Sequence, residues 1–164
     1  MKIEFIISAK DDDYVPNFLY RLNTSIQMIS NSLNQIKLSS NFILTIVDWG
    51  SRTPIIESLV LENLSKFEIR CLHISRNQIV DLGHDPRKLP ISLPFNIAIK
   101  RSHSDFIFII GADTFFTSSS LICLFSFCVK TFQIENDIKS SILMIGRKEI
   151  PFNFLKNSPN PKIL

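Results

Sequence analysis

The chain has 164 residues, 45% of them hydrophobic and 20% charged, which suits one domain with its own core and excludes the disordered and fibrous classes. The net charge of +3 comes from scattered Lys and Arg, with Arg87-Lys88 and Lys100-Arg101 the nearest approaches to a cluster, so nucleic acid is not an expected partner. No apolar stretch approaches the ~18 residues of a transmembrane segment, and Leu121 to Val129 is too short and contains Ser126.

Cys71, Cys123 and Cys128 lack metal-ligand spacing and sit inside apolar runs, so they read as small buried hydrophobes. Met1 leads directly into a strand pattern, which reads as a chain without a signal peptide in the reducing cytoplasm.

In chain order, residues 3 to 8 form a β-rich apolar run that stops at Asp11-Asp12-Asp13. Pro16 suits the first turn of a helix, and Phe18, Leu22, Ile26, Ile29 and Leu33 return to one face of it. Residues 41 to 47 are a second strand, ended by the turn Asp48-Trp49-Gly50-Ser51, and Pro54 opens a helix expected to reach about Leu64. Residues 67 to 74 give a third strand.

The stretch from Arg76 to Pro90, with Gly83, Pro86 and several charges but no period, reads as a long loop of the kind that serves as a lid or substrate loop. A short helix is expected from Ser92 to Arg101. Residues 105 to 110 are the most continuous buried-strand signal, ending at Gly111-Ala112-Asp113. A helix from Ser118 to Val129, a strand from Ser141 to Arg147 and an irregular tail after Pro151 complete the reading. Continuous apolar strands alternating with helices imply an α/β domain whose mostly parallel sheet is covered on both faces.

Ligands of open α/β sheets bind outside the carboxyl ends of the strands, so the residues just after each strand are the site candidates. They are polar here: Ser8, Ala9, Lys10 and Asp11 after the first strand, Asp48 to Ser51 after the second, and Gly111, Ala112 and Asp113 after the fourth. A carboxylate there can accept a hydrogen bond from a base or ribose, and another can hold a divalent cation against a pyrophosphate. Each Asp also suits a helix cap or turn, and the Asp11-Asp12-Asp13 run suits the start of a helix. Trp49 fits stacking on a base or packing under a loop. His73, His84 and His103 are too dispersed for a metal set, leaving His84 in the long loop as the histidine to test.

The ordered set Ile-Ile-Ser-Ala-Lys-Asp-Asp-Asp, Thr-Ile-Val-Asp-Trp-Gly-Ser and Phe-Asn-Ile-Ala-Ile-Lys-Arg-Ser-His-Ser-Asp-Phe-Ile-Phe-Ile-Ile-Gly-Ala-Asp resembles family 2 glycosyltransferases over residues 3 to 117. The resemblance implies a GT-A-like (Rossmann-like) three-layer α/β/α sandwich that binds a nucleotide-diphospho-sugar, a UDP-sugar above all, and transfers the sugar to an acceptor hydroxyl with inversion. It implies that Asp48 contacts the base, that Ser8, Ala9 and Lys10 form the first nucleotide loop, and that Asn96, Gly111 and Ala112 line the donor site. Asp113 is implied as the ligand of Mn²⁺ or Mg²⁺. The chain has Gly111 where the family's metal motif has its first acid, and it carries no match to the acceptor half or catalytic base; Glu149 matches nothing. Two other readings stand beside this one. The first is an inactive or truncated nucleotide-sugar-binding module, whereas a partner chain or homo-oligomer supplying the rest of the site would restore the transferase; the second is an unrelated nucleotidyltransferase-type α/β domain.

Overall fold

Strand β1 (Ile3–Ala9) is buried along its length except at Ser8, and β2 (Phe42–Trp49) is buried throughout. Runs of that kind belong in the middle of a sheet covered on both faces. The computed structural model describes residues 1–11, 16–60, 68–90 and 92–134, and the expected strand at 141–147, the tail, Glu149, Asp12 and Asp13 lie outside them.

Between β1 and β2 runs α1 (Phe18–Gln35), whose Leu22, Ile26, Ile29 and Leu33 are buried at the spacing the sequence shows. After β2 come a one-turn helix α2 (Ile55–Ser58), β3 (Glu68–Ile74), two short helices α3 (Arg76–Asp81) and α4 (Leu93–Ile99), β4 (Phe106–Ile109) and α5 (Ser118–Ile134).

All described ladders are parallel and the strand order is β3-β2-β1-β4. The register sets Ile3 beside both Phe42 and Phe106, and Asp48 beside both Ala9 and His73. Alternation along each strand divides the core into two layers. Ile3, Phe5, Ile7, Leu44 and Ile46 pack against α1 and α5, whereas Ile6 and Val47 pack with Ala98 and Phe95 of α4 on the opposite face. The expected three-layer α/β/α sandwich is the architecture observed.

One buried polar cluster ties the sheet to the segment before β4. Glu4 is 2% exposed and its carboxylate accepts from Thr45 Oγ1, Ser102 Oγ and Ser104 Oγ, so hydroxyls on β2 and on the chain leading into β4 converge on a residue of β1.

Several boundaries differ from those expected, and α5 runs on to Ile134, past the expected Val129. Strand β2 continues through Asp48 and Trp49 instead of ending at Val47, because the ladder to β3 extends to the Trp49–Ile74 pair. Helix α2 stops at Ser58, where Leu59 turns to extended backbone while its side chain stays in the core; residues 61 to 67 are outside the described set. The stretch read as a loop opens with α3. Ser75 accepts from the Gln78 amide while the Gln78 side chain accepts from the Ser75 amide, a capping box, and Gly83 at φ 77 closes the helix with His84 N–H donating to Ile79 O.

Candidate functional site at the carboxyl edge of the sheet

Strand β1 lies between β2 and β4: the chain runs outward from β1 to β2 and β3 and then returns to β4 on the other side of β1, so the carboxyl edge opens where the order reverses. The ends of β1, β2 and β4 are therefore neighbours. Hydrogen bonds draw them closer: the Asp11 amide donates to Ser51 Oγ at 2.8 Å, and Lys10 Nζ, 7% exposed, donates to the Arg87 carbonyl at 2.7 Å. The segment after α3 is thus fastened to the end of β1. Arg87 is in turn held by two side-chain bonds to Asp85, and the guanidinium keeps the Asp85 carboxyl down at about 2.

Of the first-loop residues, Ala9 belongs to the core, while the Ser8 hydroxyl is buried without a hydrogen-bond partner. A buried hydroxyl left unpaired is uncommon and marks a place where a ligand or water can bond. Trp49 is fully buried and its indole N–H is likewise unpaired. The ring packs beneath the segment after α3, edge-on to His84 with centroids 6.3 Å apart.

Asp48 has no exposed surface. Its Oδ1 accepts from the Ser51 amide at 3.3 Å, and its Oδ2 accepts from the Ile55 amide at 2.9 Å and lies 2.7 Å from His73 Nδ1. The carboxylate closes the turn after β2, anchors the start of α2 and reaches across to β3. Its charge is the second cause, after burial, that pushes the Cys71 thiol up to about 11.

Gly50, at φ 73, forms the corner of that turn; a Cβ there would lie 2.7 Å from Ile79 Cδ1. Its carbonyl accepts from Arg76 Nε at 3.0 Å, and this fixes α3 over the turn. Between the turn and α3 lies an open depression of about 340 Å³ lined by Ser51, Arg52, His73, Ser75, Arg76 and Asn77.

After β4, Gly111 and Ala112 form a turn in which the Thr114 amide donates to Gly111 O, and Ala112 packs against the core. Asp113, part-exposed, is bonded to the Arg21 guanidinium of α1. Ser25 and Ser32 of α1 donate to the carbonyls of Thr114 and Phe116, so the whole segment after β4 is laid along that helix. Among the described residues no group of three or more His, Cys, Asp or Glu is placed to hold a metal. Asn96 is exposed on α4, and its side chain makes no hydrogen bond to the other candidates among the described residues.

The structure therefore gathers Ser8, Lys10, Asp48, Gly111, Ala112 and Asp113 along one edge and leaves Asn96 on the covering helix. It adds His73, which the sequence reading set aside as one of three dispersed histidines. The signal was available in the sequence, since His73 is the penultimate residue of β3 and so lies at the same carboxyl edge as Asp48.

No known protein family matches the sequence, and no curated protein does. No described helix is long and apolar enough to cross a membrane. Among solved structures, the chain is similar to S. aureus TarS 1–349, a glycosyltransferase, with a TM-score of 0.52 and 16% identity over 80% of this chain. The likeness covers 33% of the TarS chain, so this chain matches about a third of that protein's length. At this identity the likeness is one of fold: the α/β sandwich is glycosyltransferase-like.

Proposed function

We propose that the chain is the donor-binding part of a family 2-type glycosyltransferase, holding a nucleotide-diphospho-sugar, uridine-linked, along the carboxyl edge of β1, β2 and β4. The observation that supports the reading is the run of polar and cationic groups at the carboxyl edge of the sheet, with a buried Ser8 hydroxyl that has no partner among the described residues and, on the β2–β3 side, an open depression between the turn after β2 and α3. In the transfer, an acceptor oxygen bonds to the anomeric carbon as the bond to the diphosphate oxygen breaks, and a base takes the acceptor proton. In this reading Lys10 and Arg21, whose side chains meet the Arg87 carbonyl and Asp113, are the cations that would offset the charge developing on the diphosphate.

For a divalent cation the described residues supply one carboxylate, Asp113, which Arg21 holds. Among the described residues that is one ligand of a coordination set, and the remaining oxygens would have to come from the donor phosphates and water. The Arg21–Asp113 pair and Gly111 also favour a second reading, a module that binds the nucleotide-sugar without turning it over.

Calorimetric titration with UDP, UDP-sugars and ATP tests the proposal. Binding of UDP-sugars in preference to ATP supports it; a preference for ATP would favour a nucleotidyltransferase-type domain, and no binding of any of them would overturn the donor-site reading. Sugar release to water or to an added acceptor separates the transferase from the binding module.

A further inference from the structure

We infer that His73, oriented by Asp48, reads the base of the bound nucleotide, and that it selects a base edge with an N–H between two carbonyls, the edge of uracil. The inference rests on the proposed donor site and names the residue that would give it base specificity. Asp48, implied by the resemblance as the base contact, has no exposed surface, and its two oxygens already serve two backbone amides and one imidazole. What this arrangement presents to solvent is the other side of His73, whose side chain is 31% exposed and lines the depression.

The proton positions follow from the partners. A carboxylate accepting from two amides takes a hydrogen bond from Nδ1, so the proton of the neutral ring sits on Nδ1 and Nε2 is left with a lone pair. Nε2 makes no bond to any described residue and accepts from a ligand N–H. The surrounding groups are donors: Arg52, Arg76 with the guanidinium nitrogens beyond its Nε bond to Gly50, and the Asn77 amide. The Ser51 and Ser75 oxygens already accept from the Asp11 and Gln78 amides, which leaves their O–H groups to donate. A central acceptor flanked by donors complements a base that offers acceptor, donor, acceptor. Cytosine, with an acceptor at its ring nitrogen, does not match it.

The charged and titratable groups around the ring are Asp48 on β2, Arg52 in the turn, Arg76 on α3 and Cys71 two residues back on β3, with Asp11 bonded through its amide to Ser51.

The experiment compares UDP with CDP by calorimetry in the natural protein and in His73→Asn. Asparagine keeps a donor toward Asp48 and lacks Nε2. The expected result is a preference for UDP of roughly tenfold or more in the natural protein, as for a site that pairs with a ligand N–H. In His73→Asn, still folded by circular dichroism, the ratio falls near one. A natural protein without that preference, or a preference that survives in His73→Asn, overturns this inference and leaves the donor site standing. Absence of binding by both nucleotides overturns both.

Discussion

Oδ2 of Asp48 lies 2.7 Å from Nδ1 of His73, and the two residues, 25 apart in sequence, face each other in the β2–β3 ladder. The carboxylate also bonds the Ser51 and Ile55 amides, so one side chain joins β2, the turn, α2 and β3. Truncating it leaves two buried amides and an imidazole without their acceptor. Asp48→Ala is expected to lower unfolding free energy by about 3 kcal/mol. His73→Asn should cost about 1 kcal/mol or less. Chemical denaturation of the two variants checks this, and similar losses in both would show that the carboxylate is not the shared anchor.

Gly50 and Gly83 both have positive φ, at 73 and 77, yet only Gly50 is crowded. Alanine at Gly83 meets open space and bears the left-handed backbone cost alone, about 1 kcal/mol. Alanine at Gly50 bears that cost and must displace Ile79 from 2.7 Å, so a loss of about 2–4 kcal/mol is expected. Equal melting temperatures for the two variants would contradict the packing of α3 on the turn.

Arg21 holds the one carboxylate that the sequence resemblance assigns to a cation. Arg21→Ala should free Asp113 and make UDP binding more dependent on Mn²⁺ than in the natural protein. Asp113→Ala should abolish whatever dependence exists. Titrations of UDP with and without Mn²⁺ in the three proteins decide the matter, and an Arg21→Ala protein indifferent to Mn²⁺ removes Asp113 as a ligand.

The thiols should separate by reactivity. Cys123 is exposed, whereas burial pushes Cys71 and Cys128 up to about 11. Because the thiolate is the reacting species, a thiol reagent at about pH 8 should label Cys123 first. Replacing the Asp48 charge by Asp48→Asn should speed labelling of Cys71 and not of Cys128. The linkage has a definite sign: these thiols bind their protons more tightly folded than unfolded, so their contribution is intact below the ordinary thiol value and is lost as pH rises toward 11. Melting temperature should fall over that interval.

Much of the sheet was legible because burial on both faces leaves a continuous apolar run in β1 and β2, and α1 shows its buried stripe; β4, the most continuous apolar run in the sequence, is instead an edge strand of the described sheet, part-buried and with Ile109 exposed. Helix α3 was obscured by the density of charge and proline after it, although Ser75, Gln78 and Gly83 form a start-and-stop signature that is local and readable. The length of α2 was not readable, since Ile55, Ile56 and Leu59 have helical spacing and only the core position of Leu59 draws its backbone out. The polar edge was legible from strand ends, but not how its side chains are spent. That Asp48 serves an amide at Ile55, or that Asp113 meets Arg21, 92 residues away, depends on tertiary approach and has no local trace.

Strand β1 is made early and completed late. Ile3 can pair with Phe42 once the first helix has folded back, but its other neighbour, Phe106, arrives only after the chain has run through β2, β3 and three further helices. Until then the β1 edge is open, and Glu4 lacks the Ser102 and Ser104 hydroxyls that help to satisfy its carboxylate. Parallel pairing over such separations is slow, and an unpaired apolar edge invites association with another chain. The docking of β4 is therefore expected to close that edge of β1, with the Glu4 hydroxyl cluster holding the two strands together.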